Sequence, residues 1–587
     1  MKDAEVEGEK AGILKGKDLV GLKYEHCLSE FLPEAHKGER SVISTDFVEM
    51  ETGTGIVHIA PGHGEEDFYA GKKWGLDVFC PVDASGIFTA EAGKFEGLKV
   101  FEANEKIIAA LEEKGKLIAK KSLSHSYPHC WRCKQPIIFR ATHQWFLGID
   151  RGNLREKLIG AAGKVKWVPS SGLERISSMI KQRPDWCLSR QRFWGTPVPV
   201  LYCERCGRPQ KDPGLLRHIE NRVLEEGTDF WFAEPSGKIA PENYKCSCGC
   251  GKFRKETDIL DVWLDSGISW MAVMEEGTLG KEMYPCDLYL EGSDQHRGWF
   301  QTSLIPSVAL NGKAPYKEVL THGFVLDDKG RAMHKSVGNA VSPQEIYNKY
   351  GAEILRLWVT LSDYCDDIRI SEKLLGVPVD LYRKIRNTLR YILGNLNDFN
   401  PAKNCVPHDK LPEMELYIRH KLNNLISNVR RRYERHEYRQ AMRAMADFCI
   451  LDLSAFYLDA TKDAIYTLDD DDLERRGAQT VLHDIFVSLT VMLSPVLSFT
   501  CEEAWRAARN EFDSSLPESV FLADMPEFKE NWKNDNLERK WLRIMSARER
   551  ALKVIEDLRK KGEIGSSLEA KVIFEVPQDE YNLSLIH

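Results

Sequence analysis

The sequence predicts a multidomain α/β protein that ends in a helical bundle. Its 587 residues are too many for one hydrophobic core and call for about three to five domains. Between about 165 and 375 short apolar strands alternate with helices, as in "DLYLEGSDQHRGWFQTSLIPSVAL" followed by "EVLTHGFVLDD", the pattern of a parallel sheet with crossover helices. After about 376 the pattern turns helical, and Leu422, Leu425, Ile426, Val429 and Tyr433 trace one apolar stripe.

The remaining elements follow in chain order. From 1 to about 145 the chain is rich in Gly and in short β-favouring runs, "SVISTDFVEM", "GIVHIAPGHG" and "VFCPV", separated by turn signals, which predicts a small β-rich domain with a few helices. One helix is expected over Val100 to Lys114, where Ile107, Ile108 and Leu111 share a face and Gly115 is a stop. A cysteine-containing stretch, roughly 200 to 256, interrupts the α/β part. "DKGRAMHKSVGNAVSP", residues 328 to 343, sets Arg331, His334 and Lys335 in a loop punctuated by Gly330 and Gly338, ahead of a helix starting at Ser342 and Pro343. The bundle carries basic runs at 382 to 390 and 428 to 440, and read alone these are solvated helix faces. The last residues, "EAKVIFEVPQDEYNLSLIH", read as a strand.

With 43% apolar and 29% charged residues the composition is that of a folded protein, and no apolar run is long enough to cross a bilayer. The charged opening "MKDAEVEGEKAGILKGKD" lacks the apolar core of a secretion signal, so a cytoplasmic setting is expected. A net charge of -8 excludes a uniformly basic nucleic-acid coat and leaves room for a local basic face.

Several of the cysteines stand at metal-ligand spacing. Cys203 and Cys206 form a Cys-x-x-Cys knuckle, and Cys246, Cys248 and Cys250 return about forty residues later, with Gly207, Gly249 and Gly251 supplying tight turns. Four thiolates make a closed tetrahedral Zn2+ site of the structural kind, with no open position for chemistry. Cys246 and Cys248 are taken as the second pair, and Cys250 is able to substitute. Cys130 and Cys133 offer half of another site with no evident partner pair.

"YLEGSDQHRGWF" places Glu291, Gly292, Asp294, Gln295, His296 and Arg297 between an apolar strand and a helix. In an open α/β sheet that strand end is where ligands bind, and a carboxylate there holds an ammonium or hydroxyls. Read alone, the same residues make a polar helix cap with Trp299 in the core.

"WCLSRQRFWGTPVPV", "DVWLDSG", "YLEGSDQHRGWFQTSL", "THGFVLDDKGRAMHKSVGN" and "GAEILRLWV" occur in the order and near the spacing of class I isoleucyl-tRNA synthetases, which nearly the whole chain resembles. The resemblance implies the second half of a Rossmann-type catalytic domain with a β-rich editing insertion and a zinc knuckle, followed by an α-helical anticodon-binding bundle. The implied boundaries are 1–165 for a partial editing domain, 166–330 for the Rossmann half, 331–375 for the signature loop and connecting region, 376–525 for the bundle and 526–587 for the start of a C-terminal junction. The implied activity is ATP-dependent conversion of isoleucine to the adenylate and transfer to tRNA(Ile), with Mg2+ accompanying ATP and the full-length form a monomer.

Residue by residue, the loop resembles the family's Lys-Met-Ser-Lys-Ser element, whose second lysine is Lys335, stabilising the pyrophosphate leaving group. Ala332 and His334 depart from it, and Arg331 is the available stand-in for the first lysine. Glu291, Gly292, Asp294, Gln295 and Trp299 match the adenylate pocket, Trp263 and Trp299 are expected to wall the isoleucine side chain, and His322 to lie near the nucleotide. Such a pocket rejects valine poorly, because one methylene is worth only ~1 to 3 kcal/mol, a limit for which the isoleucine enzymes are themselves the standard illustration. The hydrolytic remedy is matched by Asp67, which anchors the amino group of mischarged valine, and by His58. Read alone, both are turn residues.

No equivalent of the family's His-Ile-Gly-His element, of the threonine-rich editing strand or of the C-terminal zinc region is found in the chain. The resemblance therefore implies a synthetase truncated at both ends, with poor behaviour in isolation and no isoleucine-dependent pyrophosphate exchange on its own. The competing expectations are a tRNA-binding protein without catalysis and a class I synthetase of the valine or leucine type, against which "GSDQHRGWF" and "HIAPGHG" weigh.

Overall fold

The computed structural model describes residues 11–48, 55–120, 122, 124–130, 132–275, 280–334, 338–566 and 569–575. At the N-terminal end β1 (Lys23–Glu25) and β2 (Glu39–Ser41) pair antiparallel, and helices α1 (Glu65–Trp74) and α2 (Val100–Glu113) follow. Helix α2 forms where the spacing predicts, closed by Lys114 and by Gly115 at φ +60°. The expectation of a β-rich domain is met only in part. "GIVHIAPGHG" and "VFCPV" form no strand, with an isolated bridge from Val82 to Phe88, and Ile56 and Val57 are exposed. A β-favouring run becomes a strand when a partner edge satisfies its backbone, and among the described residues none flanks 55–64.

The α/β part holds α3 (Leu154–Ala162), β3 (Lys166–Val168), α4 (Gly172–Lys181), β4 (Leu201–Cys203), α5 (Pro213–Glu226), β5 (Phe253–Lys255), β6 (Cys286–Gly292), α6 (Trp299–Asn311) and β7 (Tyr316–His322). The predicted parallel sheet is present as β6-β7-β3, with α6 as the crossover from β6 to β7. Helix α6 is buried from Phe300 to Val308, and Phe300, Leu304 and Ile305 pack with Ile176, Ile180 and Val319. A helix apolar on all sides belongs inside, and here it sits between the sheet and helices α3 and α4. The interrupting segment closes on itself through the antiparallel pair β4–β5.

Helix α7 (Pro343–Tyr350) starts with Ser342 as N-cap and Pro343 in its first turn, as predicted, and α8 (Ala352–Leu361) follows. The bundle comprises α9 (Glu372–Gly394), α10 (Glu413–Glu434), α11 (Tyr438–Asp447), α12 (Leu473–Leu493), α13 (Ser498–Glu511) and α14 (Asp535–Lys560). The predicted stripe of Leu422, Leu425, Ile426 and Val429 is buried in one large cluster with Leu482, Ile485, Phe486 and Leu489, and Tyr433 lies against it. Each such side chain contributes about 1.5 to 3 kcal/mol by leaving water.

His420 of α10 is fully buried against the N-terminal turn of α14, near Asp535 and Glu538. Its Nδ1 accepts the Asn534 backbone N–H at 2.9 Å, and its Nε2 lies 2.9 Å from the Asn424 amide nitrogen and 3.4 Å from Glu538, so the ring joins α10 to the start of α14. The strand expected at the chain end is not formed through Glu575, where Ile573 is exposed and unpaired to any ladder; 576–587 lie outside the described residues. No described helix is long and apolar enough to cross a membrane.

Candidate active site

Parallel register brings the site together. Glu291 lies opposite Thr321 and Gly292 opposite His322, so the carboxyl ends of β6 and β7 present Glu291, Gly292 and His322 side by side. A Cβ on Gly292 would stand 2.7 Å from Asp294 Oδ1, so a larger residue would have to displace that carboxylate at the turn into Ser293–His296. Asp294 accepts the Gln295 amide at 3.0 Å, and Gln295 Oε1 accepts the Trp299 backbone N–H at 3.0 Å, capping α6. Gly298 is equally confined, with a Cβ placed 2.5 Å from Gln295 Oε1 and 3.0 Å from the Trp263 ring. Trp299 stacks on Tyr289 at 4.1 Å and 6°, and its indole N–H donates to Ser266 O at 2.9 Å. Trp263, Glu291, Gly292, Asp294, Gln295, Trp299 and His322 thus lie close to one another around the ends of β6 and β7.

Two further groups fix this arrangement: Asp261, which the sequence reading did not single out, and His296, which it placed at the strand end without a role. Asp261, buried, caps the short helix Val262–Gly267 that carries Trp263, and accepts from Trp186 Nε1 at 2.9 Å and Arg190 at 2.7 Å. An Asp immediately before "VWLDSG" is a readable N-cap signal. His296 gives its Nδ1 proton to Ser293 O at 2.8 Å, while its buried Nε2 has no partner. Burial holds the ring below its usual pKa, leaving Nε2 a neutral acceptor. It lines a cavity of about 320 Å³ over the ends of β3 and β7, together with Arg175, Ser293, Thr321, Gly323 and Asp366.

The cationic loop is a built clasp rather than a free segment. Asp327, buried, accepts the backbone N–H of Lys329 (3.0 Å) and of Arg331 (2.8 Å), the Arg331 guanidinium (2.9 Å) and the Asn339 amide (3.0 Å). The Asn339 amide first, and then the Arg331 N–H, hold the Asp327 carboxyl far below the usual range. Asn339 in turn accepts the His334 N–H at 2.9 Å and donates to Ala332 O at 3.1 Å. Arg331, the expected stand-in for the missing lysine, pairs with Asp327 while more than half of its side chain stays exposed. Met333 packs against Ile346, Ile354 and Trp358. Lys335 lies outside the described residues.

Asp67, in the first turn of α1, reaches back to accept the Ala60 N–H at 3.0 Å, and so pins the segment that carries His58. His58 itself is exposed, and no hydrogen bond joins the pair.

In the knuckle Cys203, Cys206, Cys246 and Cys248 offer sulfur atoms that all lie within 4.8 Å of one another. Cys203 and Cys248 Sγ are 3.5 Å apart, and Cys206 and Cys246 Sγ are 3.7 Å apart. A tetrahedron with Zn–S of about 2.3 Å has edges of about 3.8 Å, so the donor set fits a zinc ion. The Cys250 thiol accepts the Lys252 N–H at 3.4 Å and also meets Cys203, outside the group of four mutually close sulfurs.

Part of the bundle's basic surface is used internally: Arg430 donates to Met525 O at 2.9 Å, and Arg432 to Asn428 and Glu437. Arg383, Lys384, Arg386 and Arg390 of α9 remain exposed.

The profile of tRNA synthetases class I (I, L, M and V) matches residues 2–371, and that of the anticodon-binding domain of tRNA ligase matches 415–574. The isoleucine--tRNA ligase of Petrotoga mobilis is 45% identical over 581 residues, covering 99% of this chain and 62% of that protein. That of Thermotoga maritima is 45% identical over 569 residues (97% and 61%), and that of Desulforamulus reducens 48% over 577 residues (98% and 61%). The chain thus spans about six-tenths of the length of these curated relatives. Among solved structures, Mycobacterium tuberculosis methionyl-tRNA synthetase in complex with methionyl-adenylate matches 68% of this chain and 73% of that one at 15% identity and a TM-score of 0.46, a likeness too slight to bear on the fold. With more than half of its length matched by the family profile, the chain belongs to the class I tRNA synthetases of the I, L, M and V group.

Proposed function

We propose that the chain carries the isoleucine-activating site of an isoleucine--tRNA ligase. The observation that carries this is the side-by-side placement of Glu291 and Gly292 with His322 at one strand edge, with Trp263 and Trp299 next to it. In the reaction a carboxylate oxygen of isoleucine attacks the α-phosphorus of ATP, and the bond to pyrophosphate breaks with its electron pair leaving on the pyrophosphate. Glu291 accepts hydrogen bonds from the adenylate, the two indoles wall the aliphatic side chain, and His322 lies against the nucleotide. Lys335 neutralises the leaving pyrophosphate, with Mg2+ on the ATP phosphates. The aminoacyl group then passes to the terminal adenosine of tRNA(Ile), which the bundle holds through exposed cations such as those of α9. Cys203, Cys206, Cys246 and Cys248 hold a structural Zn2+ that supplies no chemistry. We place the protein in the cytoplasm as a monomer when full-length, with domain boundaries at 165, 330, 375 and 525.

The test is isoleucine-dependent exchange of labelled pyrophosphate into ATP, run with the chain alone and with the parts of a curated relative that it does not match. Exchange that needs isoleucine and is lost in Glu291→Ala supports the reading; exchange driven by valine or leucine but not isoleucine overturns it.

Asp67 and His58 are assigned to hydrolysis of mischarged valine, the carboxylate pairing with the ammonium of the ester. Asp67→Ala is expected to slow deacylation of valyl-tRNA(Ile) by about 100-fold with pyrophosphate exchange unchanged. An equal loss in both assays would reassign Asp67 to folding of the Ala60 turn.

One observation favours a second reading, a tRNA-binding protein without catalysis: Ala332 replaces a cation and Arg331 is neutralised by Asp327. Salt-sensitive tRNA binding with no exchange under any complementation would favour it.

A further inference from the structure

Glu353 and Arg356 sit one turn apart on α8, and each grips a different part of the bundle's α12–α13 corner. Glu353 is buried; its Oε1 accepts the backbone N–H groups of Phe499 (2.9 Å) and Thr500 (3.1 Å), and its Oε2 accepts the Thr500 hydroxyl. Those N–H groups belong to the first turn of α13, where helix donors lack partners and negative charge is favoured. Arg356 does the converse, donating from Nε to Val496 O (2.9 Å) and from Nη2 to Pro495 O (2.7 Å) in the turn after α12. Leu357, one turn on from Glu353, is fully buried in the bundle core.

An adjacent face of the same helix seats the described flanks of the cationic loop. Ile354 and Trp358 are buried with Ile346, Ile370 and Leu375, and Met333 and Val341, which flank the loop on either side, pack onto this cluster. Tyr382 joins both sides, touching the cluster and meeting Thr500 Oγ1 at 2.9 Å. A buried carboxylate cannot drop its donors without a large desolvation penalty, so the corner and α8 move together or not at all.

We propose that Glu353 and Arg356 are positioning residues that tie the seat of the signature loop to the helical bundle, so that an occupant of the bundle shifting the α12–α13 corner re-aims the loop. The meaning of this for tRNA charging rests on the proposed function; the mechanical tie does not.

Peptide-resolved hydrogen exchange on the 587-residue chain tests it, comparing the native protein with Glu353→Gln, Arg356→Met and the charge-keeping Arg356→Lys. Amides of the loop flanks, 328–334 and 338–341, are expected to exchange about tenfold faster in the first two and at an intermediate rate in the third, while the α10 core stays at the native rate. Loop rates that stay native, or that rise only together with those of α10, would overturn the tie. Added unfractionated tRNA should change loop exchange in the native chain and not in Glu353→Gln; tRNA that binds neither protein would overturn the functional reading, and the variant comparison would still decide the tie.

Discussion

Cys246→Ser is expected to abolish zinc binding, taking the metal content from one ion per chain to none and loosening the whole segment from Leu201 to Lys255. The segment has two strands of three residues each and a small cluster built on Leu201, Leu215, Ile219, Phe230, Trp231 and Phe253, into which Cys203 and Cys246 are themselves buried. The ion draws the four thiols into thiolates as it binds, releasing protons, and crosslinks the two halves of the segment. Structural zinc in isolated finger peptides contributes about 10 to 16 kcal/mol at neutral pH, and a module with some core of its own should depend on it less. Metal analysis combined with proteolysis between 204 and 256 is the measurement. Cys250→Ser should keep the ion, because Cys248 and not Cys250 completes the group of four mutually close sulfurs; loss of zinc there with retention in Cys248→Ser would exchange the two assignments.

On the proposed function, and with the chain complemented by the unmatched parts of a curated relative, Asp327→Ala is expected to lower isoleucine activation by about 100-fold while leaving the affinity for isoleucine unchanged, since a misplacement near 1 Å at a reacting group costs that much. The carboxylate gathers Lys329, Arg331 and Asn339 around one point, and Asn339 passes the constraint to His334, the residue before Lys335. A single-turnover pyrophosphate assay against isoleucine titration separates the two effects; a rise in the isoleucine KM with unchanged rate would sink the assignment. The pH behaviour has a definite sign. The folded carboxyl lies below its ordinary value, so its contribution is complete above the usual carboxylate range and is lost only as pH falls through the depressed folded value. The loop should hold its order unchanged from pH 8 to pH 5.

What the sequence made legible was local. The β6–α6–β7 unit, the bundle stripe, the α7 cap and the paired cysteines each announce themselves within a few residues of one another, through periodicity or spacing. The grouping at the ends of β6 and β7 followed because parallel register at adjacent strand ends needs nothing beyond the order of the two motifs. The N-terminal runs misled because strand formation depends on an edge elsewhere, which no propensity encodes. Asp327 was half-readable: an aspartate three residues before a glycine is a turn signal, yet its role as the anchor of the clasp depends on Asn339, twelve positions on. The partners of Glu353 lie 146 and 147 residues away, and "GAEILRLWV" entered only as one block of the family resemblance.

The Trp299 indole is clamped twice, flat on Tyr289 and by its N–H on the Ser266 carbonyl, so it can neither tilt nor slide. On the proposed assignment such a wall works as a gauge with one limit. A side chain bulkier than isoleucine meets a surface that will not yield and is refused at the steep cost of overpacking. A slimmer one fits with a gap, and a rigid gap has no means of objecting. Stiffness thus makes the activating pocket strict toward excess and lenient toward deficit, and leaves every undersized amino acid to be recognised after it has been joined to its carrier.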